Sequence, residues 1–168
     1  REPTLIVCSA LTRAIQTAAT IFEEELRTGA ATLVVRPELR EFYPDNNENT
    51  GRPLRELRGC PLLQSLGQWP AVEAALSDEA TADWRGPWDE SWARGDGWQD
   101  HCGGGDRLAA FADLLSGRPE SRIAVVSHWG AINNLLNREP WADGLPRTGD
   151  PARFPCGGLA QRFGLSNC

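Results

Sequence analysis

The 168-residue sequence contains no methionine, and all 17 of its basic residues are arginine. Without lysine, Schiff-base catalysis and the phosphate-binding lysine of a P-loop are excluded. An arginine- and alanine-rich chain without lysine points to a GC-rich coding sequence. Without methionine, a chain opening on Arg1 is expected to be part of something longer or the product of processing. No apolar run approaches the ~18 residues of a membrane-spanning helix. No charged-then-apolar stretch opens the sequence, so a secretory leader is not expected. The five cysteines (Cys8, Cys60, Cys102, Cys156, Cys168) are odd in number and lack a CxxC or other zinc spacing. Reduced thiols and a cytoplasmic location are the simplest expectation.

What is present bounds the class further. Seventeen basic against 23 acidic residues give a net charge of −6, which argues against nucleic-acid and membrane-surface partners. The length is that of one domain able to enclose a hydrophobic core. Thr4 to Cys8 (TLIVC) is a short, β-branched apolar run and reads as a buried strand. After it, Ala14, Ile15, Ala18, Ala19, Phe22 and Leu26 recur at helical spacing, with Gly29 as the stop. A second apolar run, Thr32 to Arg36, completes a strand–helix–strand unit, so the expected class is α/β with a parallel sheet.

The stretch from Pro37 to Gly59 reads as loop, and Leu62 to Leu76 as weak helix broken at Gly67 and Pro70. Residues 83–105, with Trp84, Trp88, Trp92 and Trp98 among Gly, Pro and acids, read as an irregular excursion covering a core edge. Leu108 to Leu115 then patterns as an amphipathic helix ending at Gly117. Arg122 to Ser127 reads as a fully buried parallel strand and Trp129 to Asn137 as a helix. The stretch from Arg138 to Gly158 reads as loop.

In a parallel α/β sheet, ligands collect where strand C-termini meet helix N-termini, because free backbone N–H groups and the helix dipole favour anions there. Two distinctive side chains fall at such junctions: Arg13 in CSALTRA and His128 in VVSHWG. A guanidinium forks onto phosphoryl oxygens, and an imidazole donates or accepts a proton near neutral pH. Glu41, in PELREFYP, sits in the loop after the second strand, a position open to the same edge. Plainer roles stand beside these: Arg13 as a solvated helix residue, His128 as a satisfied core histidine, Glu41 as an exposed loop acid. His101, in DHCGGGD, reads as surface loop, and its GGG lacks nucleotide-fingerprint spacing. No GxSxG elbow supports a serine hydrolase.

Taken in order, CSALTRAIQTA, PELRE and IAVVSHWGAINNLL resemble the histidine phosphatase superfamily, over about Thr4 to Asn137. That family carries Ser-x-Leu-x-Arg-Ala-x-x-Thr-Ala, then Leu-x-Glu after the next strand, then a strand ending in Ser-His-Gly or a variant. The resemblance implies a single three-layer αβα domain over residues 1–168, with a mainly parallel sheet of the phosphoglycerate mutase-like kind. It implies phosphomonoester hydrolysis through a phosphohistidine, on a phosphorylated small molecule or phosphoprotein, without cofactor or metal. Arg13 and His128 would bind the phosphoryl group, and Glu41 with His128 would act in catalysis. The family's nucleophile, in an Arg-His-Gly motif at the end of its first strand, has no counterpart among the eight residues before Ser9. The expectation is a domain lacking its first strand, with a gap in the middle of the sheet and exposed ladder groups. The alternative is a non-catalytic phosphate-binding or interaction module.

Overall fold

The computed structural model describes residues 2–41, 49, 51–82, 84 and 105–137. Its frame is a parallel three-stranded sheet made of β1 (Leu5–Ser9), β2 (Thr32–Arg36) and β3 (Ile123–Val126), in the order β2-β1-β3. The register runs Leu5↔Thr32 to Ser9↔Arg36 on one side and Leu5↔Ile123 to Cys8↔Val126 on the other. β1 therefore pairs directly with both neighbours, which corrects the expected gap.

Alternation along the strands divides the interior in two. Ile6 and Cys8 of β1, with Leu33 and Val35 of β2, face a core completed by α1 (Thr12–Ile21), α2 (Glu23–Thr28), α3 (Leu54–Arg58), α4 (Pro61–Gln64) and α5 (Trp69–Ala75). Leu5 and Val7 face the other core, with Leu39, Phe111 and Ala112 of α6 (Gly105–Ser116), and Ala131 and Leu135 of α7 (Trp129–Asn137). Helices on both faces of a parallel sheet make a mixed α/β architecture compatible with an αβα sandwich. Each fully enclosed residue such as Ile6, Ile15 or Leu63 contributes about 1.5–3 kcal/mol.

Local chemistry accounts for the boundaries. The helical pattern from Ala14 to Leu26 is two helices, not one, broken at Phe22, whose backbone leaves the helical region at φ −109° and ψ 35°. Glu23, Glu24 and Glu25 then occupy the first turn of a new helix, where its dipole favours acids, rather than the middle of a long one. Gly29, at φ 73°, supplies the left-handed stop.

Pro70 opens α5 instead of breaking it, since its missing N–H falls in the turn where no partner is needed. The stretch read as loop from Pro37 to Gly59 contains a 3-10 turn at Pro37–Leu39 as well as α3. β3 is half-buried and not fully enclosed: among the described residues it pairs with β1 alone, whereas β1 is flanked on both sides. Trp84 packs against the core that holds Ile6 and Cys8, in keeping with an aromatic covering a core edge. Trp88, Trp92, Trp98, His101 and the stretch from Arg138 expected as loop lie outside the described residues.

Candidate functional site

All three strands run in one direction, so their C-terminal ends share one edge. β1 ends at Ser9, and two residues later Leu11 caps α1, which places Arg13 as that helix's second residue. β2 ends at Arg36, and the 3-10 turn leads directly to Glu41. β3 ends at Val126, and His128 precedes the first residue of α7. The expectation that Arg13, Glu41 and His128 would arise from one sheet edge is therefore met by topology.

Side-chain contacts tie these ends together. Cys8 is level with Val126, so the residues just beyond them meet across the edge. Ser9 Oγ lies 2.9 Å from His128 Nε2, and both residues are buried. Ser9 Oγ also accepts the Leu11 N–H at 3.2 Å, which sets the turn from β1 into α1. Ser127 Oγ donates to the Leu39 carbonyl at 2.7 Å, joining the end of β3 to the turn after β2. Glu41, half-buried, accepts the Gly130 N–H at 3.2 Å on Oε2. Gly130 is the second residue of α7, so this carboxylate sits on a helix N-terminus, where a negative charge is favoured.

Each candidate therefore has a definite environment. His128 is a buried, hydrogen-bonded histidine that also stands at the strand end, so its plainer and its functional descriptions coincide. Glu41 is anchored and not merely solvated. Arg13 is exposed, and its Nη2 donates to Asn49 Oδ1 at 2.7 Å. A guanidinium in the first turn of α1 and an imidazole just before α7 are each groups able to bind an oxyanion.

Sequence reasoning gave no role to Ser9, Ser127 or Arg40. Ser9 and Ser127 are hydroxyl residues at the ends of two apolar strands, and that position is the signal that could have found them. Arg40 is almost wholly buried at 1% exposure and is held by contacts of its own. Beside it, buried Arg36 forks onto Glu38 at 2.7 and 3.0 Å. These charges reinforce the turn that delivers Glu41, since a buried guanidinium persists only when it is compensated.

No family model matches the chain, and neither a curated protein nor a solved structure does. The site is thus described from its own geometry. A cavity of about 520 Å³ opens along β2, lined among others by Leu33, Ala71, Ala75 and Leu114, and it includes none of Arg13, Glu41 or His128. Among the described residues, no three His, Cys, Asp or Glu side chains gather as a metal site requires. Among the same residues, no helix is long and apolar enough to cross a membrane.

Proposed function

We propose that this chain carries the phosphoryl-handling portion of a histidine phosphatase with the phosphoglycerate mutase-like fold. A chain that also bears the Arg-His-Gly nucleophile would hydrolyse phosphomonoesters. The observation that carries the reading is the His128–Ser9 contact at 2.9 Å, at the edge where Glu41 meets Gly130. Three sequence motifs, far apart in the chain, supply neighbouring groups at one parallel-sheet edge.

In this reading Arg13 binds two phosphoryl oxygens through its planar fork, and His128 donates to a third. As the phosphoryl group passes to the nucleophilic histidine, negative charge on its oxygens is held by the Arg13 guanidinium, by the His128 ring and by the N-terminus of α7. Glu41 gives a proton to the leaving oxygen and then takes one from the water that discharges the phosphohistidine. The substrate class is a phosphorylated small molecule or phosphoprotein, and no step calls for a metal.

A non-catalytic phosphate-binding module is the second reading. It is favoured by one observation: His101 and His128 are the chain's only histidines, and neither lies in an Arg-His-Gly motif. Both readings require the same anion site, which calorimetric titration with inorganic phosphate tests. Arg13→Ala and His128→Ala should each weaken binding at least about tenfold, the size of one charge-assisted hydrogen bond. p-Nitrophenyl phosphate should show no turnover above the His128→Ala control. Failure of the parent chain to bind millimolar phosphate would defeat both readings. An in-frame Arg-His-Gly upstream in the coding sequence separates the enzyme from the binding module.

A further inference from the structure

Ser9 Oγ carries one proton and two lone pairs. The Leu11 N–H, 3.2 Å away, takes one lone pair, and His128 Nε2 lies 2.9 Å away on the other side. The hydroxyl is thereby held at a fixed point where β1 turns into α1. It meets the ring in one of two ways: as acceptor from Nε2–H, or as donor to a bare Nε2. Each way belongs to one tautomer of the neutral imidazole, and the partner of one ring nitrogen decides what the other presents. Both groups are buried, so water does not readily substitute for the contact.

We propose that Ser9 is a positioning residue for His128: its hydroxyl, fixed by the Leu11 N–H, pins the imidazole at the sheet edge and holds it in one tautomer. This deepens the phosphoryl-site reading, on which it rests only for the consequence that a pinned ring binds an oxyanion better than a wandering one. Ser9 itself touches no substrate. Its effect passes through the ring.

Long-range proton–nitrogen NMR spectra of the chain test this directly. The sequence has two histidines, so a His101→Gln variant assigns the remaining ring signals to His128. In the parent chain the two ring nitrogens of neutral His128 should be well separated, as for one dominant tautomer. Ser9→Ala should draw them toward the tautomer-averaged values of a free imidazole and weaken inorganic phosphate binding about tenfold. Ser9→Thr, which keeps the hydroxyl, should preserve both properties. A purely structural Ser9 would leave the ring nitrogens where they were, and that result overturns the proposal.

If Ser9→Ala does not fold, the parent spectrum still decides. Tautomer-averaged nitrogens in the unmodified chain would refute the assignment. Separated ring nitrogens that respond to Ser9→Ala, in a chain that binds no phosphate, would uphold Ser9's hold on the ring and reject the phosphoryl reading alone.

Discussion

Replacing Glu41 by alanine removes the acceptor for the Gly130 N–H and the negative charge at the start of α7. A hydrogen bond to a charged group is worth about 1.5–3 kcal/mol. Helix-capping substitutions cost about 0.5–2 kcal/mol. Because Glu41 is half-buried, water partly replaces the carboxylate, and the lower end applies: a loss of about 1–2 kcal/mol. For a chain of 168 residues that corresponds to a fall in Tm of roughly 3–6 °C. Glu41→Gln keeps an acceptor oxygen and loses the charge, so it should cost less than half as much.

The same geometry couples stability to anion binding. If a phosphoryl oxygen uses the Gly130 N–H, as the proposed function has it, the carboxylate competes for it in the unliganded chain and repels that oxygen. Removing it should raise phosphate affinity while lowering intrinsic stability. At 100 times the dissociation constant, a ligand stabilises the folded state by about 2.7 kcal/mol. Saturating phosphate should therefore return Glu41→Ala to at least the Tm of the unliganded parent. Thermal and urea unfolding followed by circular dichroism, with and without phosphate, measure the Tm and the free-energy change. Equal losses for Glu41→Ala and Glu41→Gln would show that the charge carries the whole effect and the acceptor oxygen none of it. An alanine variant as stable as the parent would show that Glu41 does not cap α7 in solution.

Two further outcomes test the frame around the site. Gly29→Ala should cost about 1 kcal/mol in urea unfolding, because φ is 73° there while nothing lies within 4 Å of the added methyl, so backbone strain alone is measured. Cys8 is fully enclosed, and burial pushes its thiol well above the ordinary value of 9.0, so it should stay unlabelled by a thiol reagent in the native chain and react on unfolding. Its folded form keeps a proton that the unfolded form releases, so its contribution to stability is intact below pH 9.0 and falls as pH rises further; Cys8→Ala should flatten that alkaline decline.

The three strands, and the helical character of the stretches after β1, before β3 and after β3, were legible in the sequence because each is a local pattern, whereas α3 lay in a stretch read as loop. β2 was read to the residue, and β1 was displaced by one, at the position where the Ser9 side chain takes the Leu11 N–H. The failures have physical causes that single residues do not display. The break at Phe22 depends on three acids finding a helix start. Pro70 reads as a breaker or an initiator depending on where the preceding turn ends. The half-burial of β3 depends on strand order, which no stretch of sequence contains. Arg13, Glu41 and His128 were legible as residues at strand ends. Their contacts were not, because Ser9–His128 and Glu41–Gly130 span 119 and 89 positions.

Those long-range contacts follow from the register that packs the two cores. With Cys8 level with Val126, Ala124 and Val126 join Ile6 and Cys8 on one face, while Ile123 and Val125 join Leu5 and Val7 on the other. Slipping β3 by one residue would exchange those sets, placing Ala124 in the core built for Ile123 and Val125. It would also displace His128 along the edge by about 3.3 Å, well outside hydrogen-bonding distance of Ser9. The apolar alternation that specifies the interior thus also specifies that a serine meets a histidine at the strand ends. Parallel pairing makes this possible, since it brings the C-terminal ends of β1 and β3 to the same edge. The site needs no loop to find its own conformation for this pair to form. It is set by the same pairing that buries β1.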